Sequence, residues 1–442
     1  MLSTKAFSKD LINIVKTIKK AGFKCFVVGG GVRDLILKKT VDLWDLTTDA
    51  KPEQISRLFK KVVPTGIKYG TVTVILNGKQ YEITTFRSDE RYVDGRHPSN
   101  VRFSKDIKAD LCRRDFTINA IAYDPTTKEL VDEHGGLADI KKKVIRTVGD
   151  PIERFREDGL RPLRACRFAS KLNFKIDPNT LKAIPRTLSV AKKVSMERVH
   201  DELLKMLSAD MPSIGLELMR KAGLLKLYIP ELLKGIGVKQ PKPFHKDDVY
   251  WHGLYSCDKA PKVMPILRLA ALLHDIAKPK CKKGDTFYNH EKFGADTAVK
   301  IMKRLKFSNE HIKYVENLVK NHMFNYSPEW SDAAIRRFIV RVGVKNLNDL
   351  FMLRAADIKA MGRPVEAGHP RKLRGRIAKI LKAQNALHLN ALKVNGNDVM
   401  KALKMPPGPK VGEVLDKLLE KVIDDPRLNS RPELLRLMER MR

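Results

Sequence analysis

Apolar residues fall at helical spacing in the first segment, MLSTKAFSKDLINIVKTIKK, where Leu11, Ile12, Ile14, Val15 and Ile18 cluster on one face. The stretch is basic and amphipathic, as a transit peptide is, but it leads straight into an apolar strand, so a folded first helix is expected. Phe26-Val27-Val28 reads as that buried strand, Gly29-Gly30-Gly31 breaks it, and Val32 to Leu37 resumes a helical pattern. Leu43 to Thr47 predicts a further strand. The run from Thr71 to Phe86 predicts two strands around Asn77-Gly78, a dipeptide suited to a tight hairpin. After Asp150 strand signals nearly vanish. Leu-, Lys- and Arg-rich segments of 3.6-residue period follow, broken by Pro/Gly-bearing stretches at 234–246, 363–370 and 405–409. No internal repeat or low-complexity tract is present.

At 442 residues, 43% of them apolar, the chain has material for several globular domains. Lys+Arg number 86 against 51 Asp+Glu, a net charge of +35 spread from end to end. Such an excess points to a polyanionic partner, because neutralising phosphates releases counterions. A ribosomal or chromatin protein would show the same excess, so charge names the partner class and leaves the reaction open. Five cysteines, Cys25, Cys112, Cys166, Cys257 and Cys281, lie far apart with no CxxC pair. That argues against a zinc ribbon or a disulfide framework and fits a reducing cytoplasm. No apolar run approaches the roughly 18 residues of a membrane span.

Candidate chemistry concentrates in three places before residue 170. Gly29-Gly30-Gly31-Val32-Arg33-Asp34 is a glycine-rich strand-to-helix turn, where phosphates can approach backbone N–H groups. Tight turns use glycine for purely structural reasons about as often. Asp42 and Asp45 bracket a short strand, and Glu82 lies on the second hairpin strand. Carboxylates converging from neighbouring strands suit metal-assisted phosphoryl transfer, whereas scattered ones are more often plain surface. Glu82 is the exception, since an unpaired charge is costly in a β-rich, aromatic strand. Arg113-Arg114-Asp115 precedes an apolar segment. Further on, Arg161, Arg164 and Arg167 fall at i, i+3, i+6 with Asp158 one turn before. On spacing alone that stripe reads as a salt-bridged solvated face.

In this order, GGGVRD, DLTTDA, YEITTFR, RRDFTINAIAYD and RFREDGLRPLRACRF resemble the class II CCA-adding enzymes and bacterial poly(A) polymerases of the polymerase β superfamily. The resemblance covers nearly the whole chain. It implies an α/β nucleotidyltransferase head with a mixed, mostly antiparallel sheet and helices on one side, then an extended all-α body including an HD-type domain. It implies that Gly30 and Arg33 contact a triphosphate, that Asp45 and Glu82 belong to a Mg²⁺ cluster, and that Arg114 holds the incoming nucleotide. Asp158 and Arg161 would read the Watson–Crick edge of ATP or CTP, with Arg164 and Arg167 nearby, also binding the nucleotide. The polar segment 87–112 resembles the family's flexible loop.

One departure stands out. The family pattern sets two aspartates two residues apart, on one face of a strand. Here the position two before Asp45 is Leu43, and Asp42 on a regular strand points the other way. Either a β-bulge brings Asp42 round as the first metal ligand or that ligand is missing.

In the helical half, His252, His274-Asp275 and Asp357, in that order, resemble the metal-ligand set of HD hydrolases, with His290 and His322 placed to extend it to a second ion or a phosphate. A lone histidine on an apolar helix is usually a satisfied core residue; the ordered set is harder to dismiss. Imidazole and carboxylate together suit a second divalent metal, either a transition metal or Mg²⁺. The resemblance implies phosphodiesterase or phosphatase action on damaged RNA 3′ ends, although some relatives keep this domain only as scaffold. The tail from Leu392 onward resembles the tRNA-docking end of the CCA-adding group.

The expected domains are a head at 1–150, a helical nucleotide-recognition and RNA-binding domain at 151–238, an HD domain at 239–362 and a tRNA-binding tail at 363–442. The leading reading is CCA addition to tRNA from CTP and ATP, with no membrane partner. A poly(A), A-only or C-only adding relative is the second. An RNA-binding protein or an HD phosphohydrolase with an inert head is the third, kept alive by Leu43.

Overall fold

The computed structural model describes residues 7–41, 43–89, 101–241, 246–362, 368–383 and 387–441. The chain divides into two compact units, Met1–Leu233 and Lys234–Arg442, parting at the first of the Pro/Gly-bearing breaks.

The N-terminal unit opens with the helix Lys9–Lys20. Ser8 caps it by accepting from the Leu11 N–H, and Leu11, Ile14, Val15 and Ile18 are buried against the unit's core. A seven-stranded sheet follows. Its members in chain order are β1 (Cys25–Val28), β2 (Asp45–Thr48), β3 (Val62–Gly66), β4 (Thr71–Leu76) and β5 (Lys79–Thr85), with two short strands, β8 (Ala122–Tyr123) and β9 (Leu130–Val131). Between them β6 (Arg87–Asp89) and β7 (Val101–Phe103) form a separate antiparallel pair. The spatial order is β3-β4-β5-β2-β1-β8-β9. The sheet is mixed and mostly antiparallel: β2 and β5 run parallel, and the other neighbours run antiparallel.

The β4–β5 hairpin turns on Asn77 and Gly78, both at positive φ (50° and 75°), which the right-handed twist of the flanking strands favours. β2 starts at Asp45, so Leu43 and Trp44 form its lead-in. The segment expected to be a flexible loop, 87–112, carries β6, β7 and the helix Ile107–Cys112, whose Ile107 and Leu111 join the core with Phe26, Val28 and Phe86. Residues 90–100 of it lie outside the described residues. Helices dominate beyond Asp150, among them Pro151–Glu157, Arg161–Leu172 and Met196–Leu207, with one short strand, Lys175–Ile176.

The C-terminal unit is helical throughout its described elements. The helices Val249–Lys259, Pro265–Leu273, His290–Arg304, Asn309–Asn321 and Leu347–Ala360 surround a buried polar centre. Farther along, Gly396–Leu403, Pro409–Asp424 and Arg431–Glu439 enclose their own apolar cluster around Val399, Leu418, Val422 and Leu434. No described helix is long and apolar enough to cross a membrane.

Candidate functional site

At the end of β1 the backbone turns through Gly29, whose φ of 72° favours a residue without a Cβ. A Cβ there would also stand 3.2 Å from Arg114 Nη1 and 3.4 Å from Asp45 Oδ2. The turn therefore admits a guanidinium and a carboxylate to the same spot. Gly30 begins the helix Gly30–Ile36. A Cβ on Gly31 would come within 2.9 Å of the Trp44 ring, so the glycine is the seat of that indole, which Phe7 covers from another side at 5.2 Å between ring centroids.

The parallel pairing of β2 and β5 sets Asp45 directly opposite Glu82. Both side chains reach solvent, yet protein atoms crowd around them. Loss of hydration raises both carboxyl pKa values. Arg114 partly offsets the rise at Asp45, and the charge of Asp45 adds to the rise at Glu82. Two carboxylates held together against their mutual repulsion are what a divalent cation relieves, so the donor set fits such an ion. Leu43, in the lead-in to β2, is 76% exposed while Trp44 between it and Asp45 is buried. Asp42 lies outside the described residues.

Arg114 is aimed at this spot by Asp110. That carboxylate, fully buried, accepts from Arg114 Nη2 at 3.0 Å, from Arg113 Nη2 at 2.7 Å and from Thr47 Oγ1 of β2 at 3.3 Å. Burial alone would raise its pKa, but the two guanidinium groups outweigh that and hold it low. Asp110 was missed in the sequence because its segment read as a loop. The i, i+3 and i+4 spacing to Arg113 and Arg114 was the available signal.

Arg33 is buried, with Nη1 donating to Asn119 Oδ1 at 2.6 Å and Nε to Asp34 Oδ1 at 2.8 Å. Two of the three arginines of the stripe are likewise interior, and Arg164 is half-buried. Arg161 and Arg167 are only 7% and 6% exposed, so the solvated-face reading fails while its salt bridges hold. Arg161 pairs with Glu157 and donates to the carbonyls of Arg154 (2.9 Å) and Arg113 (3.0 Å). Arg164 donates to Asp115 Oδ2 at 2.9 and 2.6 Å, and Arg167 pairs with Glu202 over the Phe168 ring. Against the cost of burial, Arg164 and Asn119 hold the Asp115 carboxyl down to about 2. Asp158, just past the helix Pro151–Glu157, accepts from the Leu160 N–H at 3.0 Å and from Arg198 Nη2 at 2.8 Å. Arg198 had no sequence signal of its own.

In the other unit, all four expected HD ligands meet, and His290 and His322 join them. His252 Nε2 lies 3.0 Å from Asp357 Oδ1 and 3.7 Å from Asp275 Oδ2, and His274 Nε2 lies 3.2 Å from Asp275 Oδ2. On the opposite side of the same carboxylate, His290 and His322 bring their Nε2 atoms to 3.3 and 3.6 Å from Asp275 Oδ1. His252, His274 and Asp275 make one set with metal-ligand spacing, and Asp275, His290 and His322 make a second. The Nδ1 atoms of His274, His290 and His322 sit 2.8, 2.7 and 2.7 Å from backbone carbonyls. Donation there fixes the tautomer that leaves Nε2 as a lone pair, the usual outer support of a metal-bound imidazole. His274 Nε2 is buried without a hydrogen-bond partner among the described residues, an orphan that a cation would satisfy. Burial opposes charge at Asp275, but without a metal the His274 imidazole, when protonated, and Lys278 hold its carboxyl well below the usual carboxylate range.

Comparison with known proteins agrees with this geometry. Residues 25–146 match the model of the poly(A) polymerase head domain, 173–235 that of an RNA- and SrmB-binding segment of polymerase A, and 290–437 that of a second domain of tRNA nucleotidyltransferase. The CCA-adding enzyme of Pediococcus pentosaceus is 33% identical over 433 residues, 98% of either chain. That of Enterococcus faecalis is 30% identical over 98% of this chain and 96% of its own. The crystal structure of the Bacillus stearothermophilus CCA-adding enzyme in complex with CTP superposes with a TM-score of 0.75 at 26% identity, covering 97% of this chain and 96% of that one. With a polymerase-type head, a helical body and similarity along nearly its full length, the chain belongs to the CCA-adding enzyme and poly(A) polymerase family of nucleotidyltransferases.

Proposed function

We propose that this chain adds CMP and AMP to the 3′ end of tRNA, building the terminal CCA from CTP and ATP without a template. The observation that carries the reading is the pairing of Asp45 with Glu82 beside the Gly29 turn and Arg114. Asp45 and Glu82 would hold Mg²⁺, which would supply the Lewis acidity that nucleotidyl transfer to a hydroxyl requires. The protein's own part is positional. Arg114, braced by Asp110, meets the negative charge of the triphosphate, and Gly30 lets that group approach the backbone. Arg33, committed to Asp34 and Asn119, holds the start of that helix and lends it positive charge. Asp158 and Arg161 read the base edge, and Arg164 and Arg167 stiffen the helix that carries Arg161.

We keep the division into 1–150, 151–238, 239–362 and 363–442, with the last segment docking tRNA. A cytoplasmic location fits the five unpaired cysteines. The His–Asp cluster supports a second activity, hydrolysis of a phosphoester, for which a divalent metal would be held by His252, His274, Asp275 and Asp357, with His290 and His322 beside a second ion.

The test of the main reading uses tRNA ending at the discriminator base, Mg²⁺ and labelled CTP and ATP. Incorporation of C, C and then A, stopping there, is expected. Long A tails or single-nucleotide addition would assign it to a narrower relative, and no incorporation would mean an inert head.

A further inference from the structure

A cavity of about 610 Å³ opens in the C-terminal unit away from the His–Asp cluster. Its volume lies within the roughly 300–1,000 Å³ of small-molecule sites. It sits where three helices begin: Pro265–Leu273, Asn309–Asn321 and Leu347–Ala360. The far ends of the same helices carry His274, His322 and Asp357, so a helix length of roughly 13 Å or more separates cavity and cluster.

The first helix has donors to spare. No side chain caps it, the Met264 N–H donates to the Pro261 carbonyl at 3.0 Å, and Pro265 has no N–H. The N–H groups of Ile266 and Leu267, which line the cavity, therefore lack an intrahelical acceptor. Lys313 and Lys345 add two cationic side chains, both exposed and neither ion-paired among the described residues. Among the described lining residues Glu310 is the one acid. Two further lining residues each bury a polar atom without a hydrogen-bond partner among the described residues, His311 Nδ1 and Asn317 Oδ1. Tyr314 is not spare, since its hydroxyl donates to Asp349 Oδ2 at 2.6 Å.

From this convergence we propose a binding site for a small organic phosphate, separate from both carboxylate centres. The phosphate lies between Lys313 and Lys345 at the uncapped start of Pro265–Leu273. Its three terminal oxygens match two ammonium groups and two backbone N–H groups, more donors than the two oxygens of a carboxylate use. The cavity is larger than a bare phosphate needs, and Met264, Ile266 and Leu267 give it an apolar floor. The ligand therefore carries a hydrocarbon or aromatic body over that floor. A hydroxyl or amino group on the body donates to Asn317 Oδ1, and His311 Nδ1 donates or accepts according to its tautomer.

The test titrates phenyl phosphate into the full chain by calorimetry, with no divalent metal added, so that neither carboxylate centre recruits the phosphate through an ion. Saturable binding is expected, tighter than that of inorganic phosphate or phenol. Replacing both lysines, Lys313→Ala with Lys345→Ala, should weaken it at least about tenfold, the scale of one lost hydrogen bond to a charged group. Lys141→Ala with Lys142→Ala, both exposed on the helix Gly136–Lys142 of the other unit, removes the same net charge and should leave binding unchanged. No binding by the parent chain, or an equal loss in the two double variants, overturns the site. Inorganic phosphate binding as tightly as phenyl phosphate overturns the apolar floor and with it the organic ligand. Weaker binding of tRNA by the Lys313/Lys345 variant, with phenyl phosphate unaffected, overturns the site in favour of a nucleic-acid contact.

Discussion

Asp45 and Glu82 stand on neighbouring strands and open to water, with an exposed leucine two residues ahead of Asp45. In the C-terminal unit four histidines and two aspartates are buried together, and three of the imidazoles are braced from behind by backbone carbonyls. The first centre is open at the surface. The second is organised before anything binds. On the proposed function, the first must admit the end of a nucleic acid together with a triphosphate and so stays open, whereas the second, buried and rich in imidazole and carboxylate, suits cations.

The sharpest way to break this contrast is to remove one acid from each centre. Glu82→Gln should lower nucleotide incorporation by at least about 100-fold while leaving the Mn²⁺ content of the histidine cluster unchanged. Asp275→Asn should do the reverse, abolishing that metal uptake with incorporation within about twofold. Any cross-effect would mean the two centres are coupled.

Next in size is the gap at Leu43. Leu43→Asp should raise incorporation at limiting Mg²⁺ by roughly tenfold, about the 1.4 kcal/mol of one added ligand contact, and tighten Mn²⁺ binding read by paramagnetic resonance. If Asp42→Ala abolishes activity instead and Leu43→Asp changes nothing, Asp42 already fills the place.

Asp110→Asn should raise the KM for nucleotide about tenfold with a smaller change in kcat, because Arg114 loses its brace. It should also lower stability by about 3 kcal/mol, the scale of breaking a buried ion pair, which a denaturant melt would read. An unchanged KM would leave Asp110 a structural residue only.

The smallest effect is a pH dependence. The Asp115 carboxyl is held from 3.8 down to about 2 in the folded chain. Its stabilisation, on the order of 2 kcal/mol, is therefore complete above pH 4 and lost as pH falls toward 2. The Arg164→Met variant should show a flatter acid limb in a pH series of melts; an identical limb would remove this ion pair from the account.

Much of this was legible beforehand because the signals were local. Asn77-Gly78 fixed a hairpin, Gly29 a turn, and the His274-Asp275 doublet after an apolar run marked the cluster. The parts that escaped depend on distant partners. Nothing near Arg164 or Arg167 announces Asp115 or Glu202, so a buried network looked like a wet surface. Arg198 meets Asp158 only once the helix Met196–Leu207 is packed. Asp110 hid in a charged stretch whose few apolar residues were enough to form a helix.

The indole of Trp44 occupies the space that a methyl group on Gly31 would need. Gly31 can therefore gain a side chain only if Trp44 becomes smaller or moves, and Trp44 is the residue that leads directly into β2 at Asp45. Two residues with no chemistry of their own thus seat the approach to the strand end that carries Asp45 to the Gly29 turn.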